Sequence, residues 1–416
     1  MNYIVRSICF CLFLFLQIIG SAAIHVGLGK TEITPPIGTP SAGYTERKGA
    51  GMVGVHDPLF ASALFIDNGE KQLFFCSVDH LGFPYDITKE ICLRIHKHRE
   101  LSESEIYIFS SLTHAGGGAF LNVPGLGQAL AGTYDPKIVE YYIETTTQAL
   151  LLAYTHRVPA KIGIGYGKAP TLHFYRGLWP QDILPPSDMS VIKITTLEDD
   201  PLAVLFNYAV HPTVLTGQNR LFSADFVGYA RTFLESFLGP KVQALYANGA
   251  QGDLLPVIFD KEDRFASCEI LGKAVAEAVK TIWEETQTQD SLHICSEKYS
   301  YAFTPKPTPF GLTFPIDLYH TEMNILVLNH SHAFLTIPGE LSCLYDQAFQ
   351  QIAVALGFSH VSIFGLCNDA HGYIIRPDSW RHKTYESGLS FGGEEYGDIT
   401  LDRAKMLLQA HAPIRK

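Results

Sequence analysis

The chain has 416 residues, 47% hydrophobic and 18% charged, with a formal net charge of -11. That length and composition support a large core, in one big domain or two closely joined ones. The acidic balance excludes nucleic acid as a partner and gives no broad basic attraction to anionic lipid.

Residues 1–23 read as a secretory signal peptide, set apart from the fold. Arg6 precedes an apolar run, Ile8 to Ile19, too short to span a bilayer comfortably, and Gly20-Ser21-Ala22-Ala23 supplies small residues for cleavage. An uncleaved anchor is the alternative. The expectation is an extracytoplasmic chain, secreted or periplasmic, in which residues 24–416 form one hydrolase domain. Its cysteines, Cys76, Cys92, Cys268, Cys295, Cys343 and Cys367, are far apart and form no CxxC metal motif. Export permits disulfides, but spacing does not assign them.

Ile24 to Gly29 reads as a first short strand, followed by a turn-rich stretch of prolines and glycines. Leu59 to Asp67 and Gln72 to Asp79 read as strands joined by the hairpin signal Asn68-Gly69. Ile87 to His98 has amphipathic helical spacing. Glu105 to Ser111 is strand-like and runs into Leu112-Thr113-His114 and three glycines. Pro136 to Thr155 predicts a helix, Ala160 to Gly167 a strand, and Thr171 to Pro186 an aromatic, proline-rich loop containing Arg176 and Trp179. Met189 to Thr195 and Ala203 to Val210 predict a strand pair. The second stops at His211-Pro212, where proline biases the histidine away from helix. Ser223-Ala224-Asp225 opens a helix. Val242 to Tyr246 leads to Asn248 and Asp253, and Asp263 to Thr286 is a strong helix. Leu292 to Phe303, Glu322 to Leu328 and Ala333 to Ile337 predict strands, the last ending at Pro338-Gly339-Glu340. Leu341 to Leu356 predicts a helix, Val361 to Leu366 a strand, and Leu401 to Ala410 a last helix after a glycine-rich loop. The pattern is α/β, with mixed β-sheets flanked by helices and no internal repeat in the sequence.

Several apolar runs end in residues able to do chemistry: Asp79-His80, His114, His211, Asp253, Glu340, and the group Asn368, His371 and Tyr373. Ligands of α/β sheets sit beyond the carboxyl ends of strands. Histidine and glutamate at separated strand ends suit a zinc ion, with imidazole nitrogens at roughly 2.0–2.1 Å and one position open for water. There is no HExxH helix and no GxSxG nucleophile elbow, and the glycine clusters lack a P-loop lysine. Other roles stay open from the residues alone. Glu340 could cap the helix that follows, Asp253 could be a turn residue or support a histidine from behind, and Arg176 could clamp a substrate oxygen or form a surface salt bridge.

The ordered set EITPPIGTPSAGY, SLTHAGGGAF, NYAVHP with SADFVGYA, ANGAQGDLLP, TIPGE and GLCNDAHGYI followed by YE resembles the neutral/alkaline (non-lysosomal) ceramidases and their shorter bacterial relatives. The resemblance covers nearly all of residues 24–416. It implies a zinc-dependent amidase that hydrolyses ceramide to sphingosine and a fatty acid, with His114, His211, Glu340 and Tyr373 as the zinc ligands. Tyr373 or Arg176 would steady the oxyanion, and Asp253 completes the expected catalytic set. The implied partner is ceramide or another N-acylated lipid, met through transient contact with a membrane surface. The sequence departs from the family at two positions. The family reads His-Thr-His-Ser-Gly where Leu112 opens the motif here, and Gly-Asp-Val-Ser-Pro where Leu255 replaces the serine. A leucine at 255 could line an acyl pocket. Leu255 favours a zinc hydrolase for another amide or ester as an alternative. Leu112 and Leu255 together favour a lipid- or surface-binding protein without activity.

Overall fold

Three sheets carry the fold, and each follows one plan: antiparallel neighbours, then a parallel pair at one edge. The computed structural model describes residues 23–169, 171–177 and 184–413. Residues 1–22 of the expected signal peptide, and Trp179, lie outside the described residues.

In the first sheet the order is Glu105–Ser110, Gln72–Val78, Phe60–Asp67, His25–Glu32 and Val158–Pro159. The Asn68-Gly69 turn sets its hairpin register, pairing Asp67 with Gln72. Gly69 has φ +85°, and the Asn68 side-chain oxygen accepts from Lys71 N at 2.8 Å. Gln72–Val78 and Glu105–Ser110 run parallel. Parallel neighbours need a crossover, and the helix Tyr85–His96 supplies it. The second sheet runs Gln243–Asn248, Pro201–Tyr208, Asp188–Thr195, Lys161–Lys168, with the helix Asp225–Leu238 between its parallel pair. The third runs Ile294–Phe303, Tyr319–Leu328, His332–Thr336, His360–Phe364, with Asp346–Leu356 as crossover. The repeat lies in topology alone, so the sequence does not display it.

Long helices cover the outer faces. Pro136–Thr155 packs on the first sheet at such close range that a Cβ on Gly27 would stand 1.8 Å from the Ala153 carbonyl oxygen. Arg264–Glu285 lies against Asp225–Leu238, where Gly272 allows the approach. The inner faces of the three sheets meet. Phe75, Tyr107 and Phe109, then Leu205, Leu245 and Ala247, then Leu326, Phe334 and Phe364 form one apolar cluster drawn from all three sheets. At its rim sits Asn248, fully buried. Its amide nitrogen donates to Ser111 O at 3.0 Å and Val210 O at 3.2 Å, and its backbone oxygen accepts from Gly365 N at 2.9 Å. One residue thus joins the strand-end loops of all three sheets.

The structure departs from the predicted elements where tertiary pairing overrides local preference. The helix predicted from Leu341 begins only at Asp346. Before it, Glu340–Leu341 forms a short parallel pair with Tyr373–Ile374, and Cys343–Tyr345 is a 3-10 turn. Glu340 therefore caps no helix. His173–Tyr175, expected as loop, pairs with Leu254–Pro256. The sequence reading assigned no element to Leu126–Ala131, which is helical. The last helix starts at Tyr396 because Gly397 gives way to the Tyr345 hydroxyl and the Ile375 carbonyl. All six cysteines among the described residues are free thiols.

Asn248→Ala removes the donor shared by Ser111 and Val210 and leaves both carbonyls buried. Each unpaired buried group costs about 1–3 kcal/mol, so the expected loss is about 2–5 kcal/mol in an equilibrium urea titration. A loss below about 1 kcal/mol, the size of an ordinary point mutation, counts against the junction.

Candidate active site

Each sheet delivers a side chain to the same place. The first strand-end loop carries His114, the second His211, and the third the Glu340 and Tyr373 pair. The rings of His114 and His211 are 6.0 Å apart between centroids, and those of His211 and Tyr373 are 6.4 Å apart. His211 Nδ1 faces Gln251 O at 2.8 Å and Leu254 O at 3.1 Å. Two carbonyl partners assign the ring proton to Nδ1, which leaves Nε2 a bare lone pair. His114 is held the same way, with Nδ1 against Leu112 O at 2.9 Å. Gly43, at φ +99°, lies so close to the His114 ring that a Cβ would stand 2.4 Å from Cδ2.

His211 Nε2 lies 2.9 Å from Glu340 Oε2, yet neither buried atom has a hydrogen-bond partner. The two atoms face each other off the hydrogen-bonding axis. Two acceptors at that distance repel unless a proton or a cation lies between them. Burial, and then the other histidine, pushes His114 down to about 3; burial, and then Arg176, pushes His211 to about 3. Both imidazoles are neutral bases, as a metal ligand must be. Burial raises Glu340 to about 7, against the pull of His114, Arg176 and a hydrogen bond from Tyr373. Burial, and then Glu340, raises Tyr373 well above the usual phenol range. Among the described residues, no three His, Cys, Asp or Glu side chains already stand as a metal cluster. The donor chemistry fits a divalent cation through the unpartnered His211–Glu340 pair, with Tyr373 beside it and the bare nitrogen of His114 across from it.

Arg176 reaches the site from the strand-end segment after His173–Tyr175. Its Nη2 donates to the Tyr373 hydroxyl at 3.0 Å and Gly252 O at 2.8 Å, and its Nε to Glu386 Oε1 at 2.7 Å. This is a buried charge pair rather than a surface one. Burial works against the guanidinium charge, but Tyr373 and Glu386 outweigh it and raise its pKa. Asp253 stands apart from the chemistry. Its carboxylate accepts from the Ser342 hydroxyl and from Cys343 N at 2.8 Å, so it anchors the turn just after Glu340. Asp79 pairs with Arg231 at 2.6 Å. His80 packs among Phe83, Phe120 and Tyr142, where its Nδ1 accepts from Gly82 N.

His114, Glu340 and Tyr373 form part of the wall of a cavity of about 1000 Å³. The rest is largely apolar, with Leu121, Val123, Leu126, Phe310, Phe314 and Ile316 among its lining. Leu112 also faces this cavity, buried and at φ +73°. Leu255 does not; it pairs with Phe174 on the strand behind Arg176. The described part of the aromatic loop, His173–Tyr175, likewise lies off the cavity wall. Sequence reasoning missed Glu386 and the apolar wall. The pairing YE after the GLCN motif was the available signal for Glu386.

The family model described as neutral/alkaline non-lysosomal ceramidase, N-terminal, matches residues 24–297. The chain belongs to this family. It is 25% identical over 264 residues to a neutral ceramidase of Drosophila pseudoobscura pseudoobscura, a match covering 58% of this chain and 37% of that protein. Against a neutral ceramidase of Drosophila melanogaster it is 22% identical over 349 residues, covering 71% of this chain and 49% of that one. The matches thus span half or less of these relatives' length. In fold, the chain superposes on neutral ceramidase from Pseudomonas aeruginosa with a TM-score of 0.84 at 16% identity, covering 95% of this chain and 76% of that one. The mixed α/β architecture expected from sequence is the ceramidase fold.

A residue at φ +73° suits histidine or asparagine better than leucine. If the His211–Glu340 pair holds zinc, as the motif resemblance implies, Leu112→His is expected to add a nitrogen donor and tighten that zinc by on the order of tenfold or more, since changing even a residue behind a ligand moves affinity 10–100-fold. His211→Ala is expected to abolish stoichiometric zinc. Competition against a fluorescent chelator reads both. Unchanged affinity in Leu112→His would remove position 112 from the donor set.

Proposed function

We propose that this chain is a secreted zinc-dependent hydrolase that cleaves the N-acyl amide of a ceramide-type lipid. The observation that carries the reading is a roomy apolar cavity whose wall ends in His114, Glu340 and Tyr373. Such a shape takes long hydrocarbon and turns one polar junction of it toward bases and donors. Family membership points to the same substrate class. His114, His211, Glu340 and Tyr373 would hold the metal, which when bound lowers the pKa of water and polarises a carbonyl.

The chain's own residues divide the remaining work. The apolar wall holds the acyl chain and keeps bulk water from the amide. The Tyr373 hydroxyl, fixed by Arg176 at 3.0 Å, donates toward the oxygen of the carbonyl as charge builds there. Glu386 keeps Arg176 in place at 2.7 Å. Removing one such oxyanion donor costs about 10²–10³ in kcat. Asp253 positions Glu340 through Ser342 and Cys343 and touches no substrate.

A second reading is a lipid-binding protein without turnover, favoured by Leu112 and Leu255 at two family motif positions. A panel of ceramides, other N-acyl amides and esters, run with and without chelator, separates the two. Chelator-sensitive release of fatty acid from a ceramide is the expected result. Tyr373→Phe, compared with wild type at equal zinc content because Tyr373 would also be a ligand, is expected to lower kcat by about 10² with little change in KM. Leu255→Ser is expected to leave the rate near wild type, because position 255 lies off the cavity wall. A stoichiometrically zinc-loaded chain that binds ceramide and turns over nothing selects the second reading. A rate gained only in Leu255→Ser shows instead that amide cleavage needs an alcohol at position 255.

A further inference from the structure

The segment between the strands Ile294–Phe303 and Tyr319–Leu328 is a long connection in the third sheet, and its apolar side chains face two ways. Phe310, Leu312, Ile316 and Leu318 all contribute to the cavity wall, yet they are 62%, 37%, 43% and 49% exposed. Tyr385, 68% exposed, stands on the same wall. The mouth of the cavity is therefore rimmed with apolar surface open to solvent, continuous with the apolar interior. Large exposed apolar patches mark interaction surfaces.

The segment is built rather than loose. Thr308 N donates to Leu312 O at 2.8 Å, Gly311 N to Thr308 O at 2.8 Å, and Leu312 N to Thr308 Oγ1 at 3.1 Å. Gly311, at φ +80°, turns the tip beside Phe310. Lys306 N donates to Phe391 O at 2.7 Å, and Phe314 packs on Tyr319 and Phe391 with ring centroids 5.6 and 5.1 Å away. Hydrogen bonds and packing thus hold apolar side chains in water, a cost that a water-facing loop has no reason to carry.

We propose that this rim docks on the surface of a zwitterionic lipid bilayer, with Phe310 and Ile316 entering its acyl boundary. The proposal rests on the reading of the cavity as a lipid site. A ligand that fills an apolar cavity of about 1000 Å³ is itself insoluble in water and resides in a lipid phase. A mouth sealed against that phase transfers the ligand without wetting its chains. Charge selects the kind of surface. The connection from Thr304 to Leu318 carries one cation, Lys306, and one anion, Asp317, while the whole chain is at -11. A neutral headgroup surface fits this balance, and an anionic one is repelled.

The test is co-sedimentation with phosphatidylcholine vesicles, in the presence of salt, for wild type, Phe310→Asp, Ile316→Asp and Val354→Asp. Val354 is 63% exposed on the helix Asp346–Leu356 and belongs to neither rim nor cavity wall. The expected result is at least a tenfold weaker partition for each rim variant, with Val354→Asp like wild type and all four equally folded by circular dichroism. Phe310→Trp is expected to be quenched by brominated acyl chains. Rim variants that partition like wild type overturn the proposal. So does binding confined to anionic vesicles, or a wild-type dimer that Phe310→Asp dissociates, which would assign the rim to a second copy of the chain. Vesicle binding is read without turnover, so a chain that docks but hydrolyses no amide refutes the enzymatic reading alone.

Discussion

The structure depends on one buried amide. Asn248 ends the inner strand of the second sheet, and its two donated hydrogen bonds and its backbone oxygen reach loops of all three sheets. Three sheets whose strand ends converge leave their last carbonyls facing one another inside the protein, where water does not reach. A side chain with two donors on one nitrogen is the smallest group that satisfies two such carbonyls at once. Neither an apolar residue nor a carboxylate does so. Asn207, on the neighbouring strand, repeats the solution, its amide nitrogen set among Ala247 O, Asn248 O and Ile363 O, and Asn368 bridges Ile106 and Ile108 on the third side. The apolar cluster beneath would tolerate sliding of one sheet past another. The amide ladder does not, and it fixes how far apart His114, His211 and Glu340 stand.

That fixed spacing creates an electrostatic arrangement no single sheet could hold. His211 and Glu340 come from different sheets and confront each other at 2.9 Å without a hydrogen bond. Burial keeps both imidazoles neutral and draws Glu340 up to about 7. On the far side of Tyr373, Arg176 keeps its charge because Glu386 lies against it. The site therefore has a basic, proton-poor half and a cationic half, with a phenol between them. The carboxylate of Glu386 balances Arg176, so a further anion developing beside Tyr373 meets fixed donors instead of bare positive charge. Preorganised donors of this kind need no rearrangement when charge develops.

Much of this was legible in the sequence, for physical reasons that differ by residue. His211 stands out because an apolar strand ends at it and Pro212 forbids a helix. The Asn68-Gly69 hairpin is read from turn chemistry alone. The grouping of His114 with His211, Glu340 and Tyr373 came from motif resemblance, since strand ends carry no label saying which of them converge. The threefold plan of the sheets stayed hidden because topology is conserved by hydrophobic pattern, and each sheet fills that pattern with different residues. Capping stayed open for Glu340 because Pro-Gly precedes a helical stretch, while its strand partner, Tyr373, lies 33 positions along the sequence. Asp253 looked catalytic because it follows a strand end and a glycine. Its oxygens are consumed by Ser342 and Cys343, contacts that only the folded chain creates. The apolar wall from Leu121 to Ala131 and from Phe310 to Leu318 has no periodicity, so nothing in it announces a cavity.

The two leucines singled out by the motif resemblance are not equivalent once placed. Leu255 sits on a two-stranded ladder opposite Phe174, half-buried and away from the cavity. Its neighbour Leu254 does the structural work there, accepting from both the backbone and Nδ1 of His211. A leucine at 255 thus disturbs neither the orientation of His211 nor the lining of the cavity. Leu112 is different. It is buried, faces the cavity, and holds a left-handed backbone that a branched apolar side chain tolerates poorly. Strained residues persist where the surroundings over-determine them, and here Leu112 N is held by His80 O at 2.9 Å while Leu112 O is held by the His114 ring. The carbonyl of Leu112 fixes the His114 tautomer and so exposes its bare nitrogen, whichever side chain stands at 112. The backbone at this position therefore serves the site even though its side chain supplies no donor.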